Sequence, residues 1–174
     1  MAKFNPLRLI GRMARHIWLD ASDTRRAIPP AMVQRLMQRV AASENRHSGE
    51  IRICVEAGLP MSYLWRNATA RQRAVTMFGK LRVWDTEHNN GVLIYLLLAE
   101  RAIEIVADRG IDRHVTRPEW HAMTQRMASA FREDRFEDGL TQALEEVSAL
   151  MVQHFPLAEG ESSSNELPDT PVLE

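Results

Sequence analysis

Acidic and amide side chains concentrate in three short segments of the sequence, at residues 47–50, 84–91 and 108–112. If the fold brings these segments together, repulsion among their carboxylates requires a cation or nearby arginines to neutralise it. Carboxylate and carboxamide oxygens suit Ca²⁺ or Mg²⁺ better than zinc or copper. The candidate metal ligands are Glu50, Asp85, Glu87, Asn90, Asp108 and Asp112.

The same acids have a simpler explanation as solvated loop ends. Their charge would then be balanced by Arg82, Arg109 and Arg113, which lie in or beside the same segments. The spacing of the acids is not that of an EF-hand loop. From the spacing alone, both the cation site and the solvated loop ends stay open.

Two residues in these segments are candidates for catalysis. His88 lies inside the acidic segment and titrates near neutral pH, so it is suited to act as an acid or a base. Arg109 is suited to pair with a phosphate group. The sequence contains no GxSxG elbow, Walker A loop, GxGxxG loop or HExxH helix, and no nucleophile is evident. The single cysteine, Cys54, excludes a disulfide framework and a multi-cysteine zinc site within one chain.

Hydrophobic periodicity predicts the elements that position these segments. Alternating or continuous apolar residues predict strands at 51–57, 92–99 and 103–107, and helical stripes lie at 30–46, 70–81, 117–131 and 136–154. A helix joins the first two strands, which favours a parallel pair, and a short turn makes the third strand antiparallel to the second. The prediction is an α/β fold, a three-layer α/β/α sandwich around a small mixed sheet of three to four strands, over residues 29–156.

This topology predicts where the three acidic segments lie. The amino ends of the two parallel strands and the carboxyl end of the third share one edge of the sheet, so the segments converge there. Gly91 is expected to let the backbone turn sharply into the central strand, which a Cβ would obstruct. Trp65, Trp84 and Trp120 lie beside helical stripes and are expected to pack in the core.

Composition bears on nucleic-acid binding, on membrane insertion and on the order of the C-terminal residues. The chain has 174 residues and a net charge of −1, which argues against nucleic acid as a partner held by bulk positive charge. Its longest apolar run, 92–99, is too short to span a bilayer, and no secretory signal is evident, so a cytoplasmic protein is the default expectation. Residues 157–174 hold five acidic residues and no basic one, and we expect them to form a disordered tail.

The first 28 residues form a separate basic, amphipathic segment. Apolar residues recur every three or four positions, and residues 1–26 hold six basic residues against two acidic ones. Such a helix, over residues 1–18, can lie on an anionic membrane surface, which would place the protein at the inner face of the membrane. The alternative is that the helix packs against the sandwich or a protein partner.

The motifs of the central region resemble the TPM domain family, also called the TPM phosphatase family. The resemblance covers about residues 30–155 and lies in the order and spacing of several short motifs, in a short chain of the cytoplasmic bacterial type. Those motifs are Ser48-Gly49-Glu50-Ile51, the run from Phe78 through Asn90-Gly91-Val92-Leu93, Gly110-Ile111, Phe131, Phe136 and Gly139-Leu140.

The resemblance implies an α/β/α sandwich and leaves two functions open. Some family members are similar to calcium-binding proteins, and a plant chloroplast member is described as an acid phosphatase. The favoured interpretation is a non-catalytic interaction module that binds a divalent cation and serves in membrane-protein upkeep through an unidentified protein partner. The alternative is a metal-dependent phosphatase, in which a cation held by Asp85, Glu87 and Asp108 activates water.

Overall fold

A four-stranded mixed sheet forms the centre of the protein. The structure is a computed structural model that describes residues 6–158 and 165–174. The strands are β1 (Ile51–Glu56), β2 (Val92–Leu97), β3 (Ala102–Ala107) and β4 (Val172–Leu173), in the order β3-β2-β1-β4. β1 is parallel to β2 and to β4, whereas β3 is antiparallel to β2. The predicted directions of the first three strands are confirmed.

Helices surround this sheet and connect its strands. They are α1 (Pro6–Trp18), α2 (Ala21–Ala27), α3 (Pro30–Glu44), α4 (Met61–Trp65), α5 (Ala70–Lys80), α6 (Arg109–Asp112), α7 (Arg117–Arg132) and α8 (Phe136–His154). Thr69 begins α5 and Thr116 begins α7, each with a capping box in which a side chain three residues later returns to the cap backbone. A single 3-10 turn at 98–100 joins β2 to β3.

The two faces of β2 pack into two separate hydrophobic clusters. Its even-numbered residues, from Val92 to Leu96, pack with α3, α7 and α8, whereas its odd-numbered residues, from Leu93 to Leu97, pack with α4 and α5. Because successive side chains of a strand point to opposite faces, helices must cover both sides of the sheet. The predicted three-layer sandwich is confirmed.

β1 is buried along its whole length, including its polar residues. The carboxylate of Glu56 accepts hydrogen bonds from Arg73 Nε and Nη2 at 2.9 and 2.6 Å and from the hydroxyl of Tyr95 at 2.6 Å. A buried carboxylate is tolerated only when such donors replace its lost water. This network ties α5 to the two central strands.

The C-terminal segment corrects the expectation of a disordered tail. Residues 159–164 lie outside the described residues, but residues 165–174 run along the domain and end in β4, which pairs with β1. Leu167 is buried, and the two carboxylate oxygens of Glu50 accept hydrogen bonds from the N–H groups of Glu166 and Leu167 at 3.1 Å each. The acidic composition of residues 157–174 predicts disorder, but β1 and Glu50 supply hydrogen-bond partners that order residues 165–174.

Helix α1 lies against the domain through its polar side. Arg12 Nε donates to Glu100 Oε1 at 2.7 Å, and His16 Nδ1 accepts from the N–H of Leu59 at 2.9 Å. The first five residues of the predicted amphipathic segment lie outside the described residues. In the described part of the chain, no helix is both long and apolar enough to cross a membrane.

A buried carboxyl group at the end of α3 responds to pH. Glu44 Oε1 accepts a hydrogen bond from the N–H of Ile51 at 2.9 Å, and the side chain is 5% exposed. Burial, together with the charges of Glu50 and Asp169, raises the pKa of Glu44 to about 8. The folded protein therefore holds a proton at Glu44 that the unfolded chain releases near the ordinary value of 4.5.

The first prediction is that the Glu44→Gln variant loses less stability than the parent chain as pH rises from about 5 to about 8. In that window the unfolded chain is ionised at Glu44 and the folded protein is not, which lowers the free energy of unfolding by up to about 1.4 kcal/mol per pH unit. The glutamine amide does not titrate in this range, so the variant lacks this contribution to the slope. Urea unfolding at several pH values measures the slope, with the exposed Glu145→Gln as control; parallel slopes for parent and Glu44→Gln would contradict the assignment.

The second prediction concerns Gly91, which precedes β2. A Cβ at this position would overlap the backbone carbonyl oxygen of Val83, so the loop has no room for a side chain. Gly91→Ala is therefore expected to lower the free energy of unfolding by about 1–3 kcal/mol. Gly79→Ala, inside α5 with open space around it, is the matched control and is expected to be neutral or stabilising. Equal stability of the two variants would show that the close approach is not needed.

Candidate functional site

Three loops meet where β1 and β2 begin and β3 ends. Asn90 Nδ2 donates to the carbonyl oxygen of Ser48 at 3.1 Å, and the N–H of Asp108 donates to the carbonyl of Gly91 at 2.9 Å. The N–H of Gly110 donates to the carbonyl of Asn89 at 2.8 Å. The structure thus brings together the three predicted segments, residues 47–50, 84–91 and 108–112, which we call the loop edge.

Asn90 is fully buried at the centre of the loop edge. Its backbone N–H donates to Thr86 Oγ1 at 3.1 Å, and its side-chain nitrogen faces the carbonyl of Ser48. Because that carbonyl can only accept, the amide is fixed with its oxygen turned away from Ser48. Asn90 Oδ1 is buried and has no hydrogen-bond partner among the described residues.

Asp108 places a second unpaired oxygen at the loop edge. It follows β3 and caps α6, where its Oδ1 accepts from the N–H of Arg109 at 2.7 Å. Its Oδ2 is buried and, within the part of the chain that the structure describes, has no hydrogen-bond partner. An unsatisfied buried acceptor costs about 1–3 kcal/mol, and more when it is charged. Two such oxygens at one edge are a donor set that suits a hard cation.

Glu50, also a predicted ligand, is held by the C-terminal segment. Both of its carboxylate oxygens accept backbone N–H groups, those of Glu166 and Leu167. Burial raises the pKa of Glu50, and the two N–H groups oppose that shift. We therefore assign Glu50 to anchoring the C-terminal segment rather than to the cation ligands.

The other three predicted carboxylate ligands are exposed at the surface: Asp85, Glu87 and Asp112. Asp85 lies 3.8 Å from Arg82, and Asp112 accepts a hydrogen bond from Trp120 Nε1 at 3.1 Å. Across residues 6–158 and 165–174, no three His, Cys, Asp or Glu side chains lie close enough to hold a metal. The expectation that the predicted carboxylates form one cluster is wrong, because topology places the loops together but does not set the direction of each side chain.

The two candidate catalytic residues are not held in position. His88 and Arg109 are both exposed, and neither side chain makes a hydrogen bond or an ion pair with any residue that the structure describes. A Cβ at Gly110 would overlap the backbone carbonyl oxygens of His88 and Asn89, so these carbonyls lie close against the start of α6. The backbone carbonyl oxygen of His88 is therefore held in place at the loop edge, whereas the imidazole has no partner among the described residues that fixes its position.

Three residues that sequence reasoning missed shape the loop edge. Thr86 holds the backbone of Asn90, and the carboxylate of Glu166 accepts the N–H of Glu87 at 3.1 Å. His47 is fully buried, with Nδ1 3.0 Å from the carbonyl of Gly49, and burial lowers its pKa to about 4, so it carries no charge at neutral pH. The position of Thr86, four residues before Asn90, weakly indicates a turn at this point of the sequence. Nothing in the sequence around Glu166 indicates its contact with Glu87.

Comparisons with known proteins agree with this architecture. The family model described as "TPM domain" matches residues 21–150. The fold is similar to the NMR structure of the BA42 protein from the psychrophilic bacterium Bizionia argentinensis, with a TM-score of 0.68 and 25% identity, over 80% of this chain and 90% of that one.

A second solved structure shows the same fold. It is the N-terminal domain of a protein from P. gingivalis, with a TM-score of 0.60 and 15% identity, over 76% of this chain and 83% of that one. No curated protein matches the chain significantly. Since the family model covers well over half of the sequence, and the layers are those of the α/β/α sandwich that the resemblance implies, the chain belongs to the TPM domain family.

Proposed function

We propose that this TPM domain is a non-catalytic interaction module that binds a divalent cation, Ca²⁺ or Mg²⁺, at the loop edge. The observation that supports the proposal is a pair of buried oxygens that have no hydrogen-bond partner among the described residues, Asn90 Oδ1 and Asp108 Oδ2. Both belong to residues whose backbones are fixed by hydrogen bonds to neighbouring loops. A cation shared by Asn90 Oδ1 and Asp108 Oδ2 would supply the partner that each oxygen lacks among the described residues.

The chemistry of the donor set favours Ca²⁺ over Mg²⁺. The set consists of one carboxylate and one carboxamide, which leaves most ligand positions to backbone carbonyls, such as that of His88, and to water. Ca²⁺ accepts six to eight oxygens in flexible geometry, whereas Mg²⁺ demands a near-ideal octahedron. With only one charged ligand, we expect weak affinity, with a dissociation constant of about 0.1–1 mM.

Binding at this edge would couple the cation to the exposed surface around it. Asn90 lies at the entry to β2 and Asp108 at the exit from β3, so a shared ion would join two loops that are otherwise linked through backbone hydrogen bonds. Trp84 is half exposed in the same loop and offers a partner protein an aromatic contact. In this account the cation stiffens the surface that an unidentified partner recognises.

The alternative, a metal-dependent phosphatase, lacks a specific observation in its favour. Hydrolysis of a phosphate ester needs a positioned nucleophile or activated water and a group that protonates the leaving oxygen. His88 and Arg109 are the candidates for these roles and for phosphate binding, and both are exposed without side-chain partners among the described residues. We therefore treat phosphatase activity as an outcome that the experiment below distinguishes.

The third prediction is that Asp108→Asn weakens Ca²⁺ binding at least tenfold, because it removes the single charged ligand. An amide NMR titration of the parent chain should shift residues 86–91 and 108–112 together and leave residues 142–149 of α8 unchanged. Asp85→Asn and Asp112→Asn are the matched controls, since each removes one exposed charge from the same edge, and both should bind like the parent. Parent-like binding by Asp108→Asn would contradict the ligand assignment.

An assay of aryl phosphate hydrolysis tests the non-catalytic part of the proposal. The parent chain should hydrolyse a generic aryl phosphate no faster than buffer, with or without Ca²⁺, Mg²⁺ and Mn²⁺. Metal-dependent turnover that is lost in both Asp108→Asn and His88→Gln would overturn this part in favour of the phosphatase. Turnover that survives both variants and co-elutes with the protein would also overturn it, whereas turnover that separates from the protein on further purification comes from a contaminating enzyme.

A further inference from the structure

Helices α1 and α4 both carry large apolar side chains that are exposed. Trp18 is 85% exposed, Trp65 is 75% exposed, and Ile10 and Ile17 are 62% and 59% exposed. The expectation that Trp65 and Trp84 pack in the core is wrong, since Trp84 is 50% exposed. Large apolar side chains grouped in this way mark an interaction surface more often than scattered single ones do. We call Ile10, Ala14, Ile17, Trp18, Met61 and Trp65 the α1–α4 surface.

The apolar face of α1 is not the face that contacts the domain. Arg12, Met13 and His16 form the inner stripe, in which Met13 packs against the second hydrophobic cluster. Ile10 and Ile17, spaced by seven residues, lie on another side of the helix. The helix thus packs on the sandwich, as one of the two alternatives drawn from the sequence expects, and its most apolar stripe stays exposed.

The two helices are neighbours on one side of the molecule. The N–H of Leu59 donates to His16, and Arg12 Nη1 donates to Asn67 Oδ1 at 2.9 Å. Leu59 and Asn67 bracket α4 in the sequence, so α4 is held next to α1 at both of its ends. The exposed side chains of the two helices therefore belong to one region of the surface.

Positive charge accompanies this region. Arg15 and Arg66 are exposed, and neither pairs with a carboxylate in the part of the chain that the structure describes. The neighbouring acid, Glu100, is already engaged, because its carboxylate contacts Arg12 at 2.7 Å and His16 at 3.1 Å. The tryptophan and aliphatic side chains of the α1–α4 surface are thus flanked by two arginines that pair with no carboxylate among the described residues.

We propose that the α1–α4 surface docks the protein on an anionic lipid bilayer. Tryptophan partitions to the boundary between headgroups and acyl chains, and an amphipathic helix lies in that plane with its apolar side towards the acyl chains. Arg15 and Arg66 complement the negative headgroups. A second copy of this chain is a poorer occupant, because docking this surface on itself would bring together arginines of like charge that pair with no carboxylate among the described residues. The proposal does not depend on cation binding at the loop edge.

The fourth prediction is that the full chain pellets with vesicles of 3:1 phosphatidylcholine and phosphatidylserine at low salt, and does so much less at about 0.5 M salt, where screening is strong. Vesicles of phosphatidylcholine alone should pellet little protein. The Arg15→Gln/Arg66→Gln double variant should bind at least tenfold more weakly, since each basic residue near the surface contributes roughly fivefold in affinity. The Trp18→Ala/Trp65→Ala double variant should also bind at least tenfold more weakly, because it loses the two side chains that partition to the headgroup boundary.

Two matched controls separate this surface from general effects. Trp84→Ala removes a half-exposed tryptophan at the loop edge, and Arg113→Gln/Arg117→Gln removes two exposed arginines from another side; both should pellet like the parent. The proposal is overturned if the parent stays in the supernatant, or if the Trp18→Ala/Trp65→Ala variant pellets as well as the parent. It is also overturned if sedimentation velocity shows a parent dimer that this variant abolishes, which would make the surface a contact between copies.

Discussion

The entry of the chain into β2 is the constraint on which the loop edge depends. At Gly91 the carbonyl of Val83 leaves no room for a side chain. Asn90, just before it, donates hydrogen bonds to Ser48 and Thr86. Gly91 in turn accepts the N–H of Asp108. These contacts hold the Asn90 side chain and the Asp108 backbone, and both residues carry a buried oxygen without a hydrogen-bond partner among the described residues. A cation would then bind without paying for the ordering of its own site.

The acidic residues of this edge divide into three roles according to what surrounds them. Glu50 is buried and binds the backbone of the C-terminal segment, so its carboxylate is structural. Asp85 and Asp112 are exposed and pair with groups at the surface. Asp108 alone among these carboxylates keeps a buried oxygen without a hydrogen-bond partner in the described residues. Net charge at the edge is therefore a poor guide to where a cation would bind.

Much of the fold follows from local patterns in the sequence. The alternation at residues 51–57, the continuous apolar run of β2 and the capping boxes at Thr69 and Thr116 each require only neighbouring residues to be recognised. Strand directions then follow from the lengths of the connections. For this reason the three longer strands, the helices α3, α5, α7 and α8 that cover them and the meeting of three loops at one edge were predictable.

What the sequence did not predict depends on contacts between distant residues. Leu167 and β4 are ordered by Glu50 and β1, more than a hundred residues earlier in the chain, while their own surroundings are polar and acidic. Helical periodicity identifies the apolar stripe of α1, but the hydrogen bonds of His16 and Arg12 decide that this stripe faces outward. In the same way, the burial of Asp108 and the exposure of Asp85 depend on side-chain direction, which spacing does not encode.

Paramagnetic relaxation by Mn²⁺, an ion with similar oxygen preference, tests the central claim most directly because it reports distance from the ion. A substoichiometric amount of Mn²⁺ should broaden the amide signals of residues 88–91 and 108–111 first, and excess Ca²⁺ should restore them. Residues 142–149 of α8 should keep their line widths throughout. Broadening centred on Asp85, Glu87 or Asp112, with Asn90 and Asp108 spared, would contradict a cation site built from the two buried oxygens.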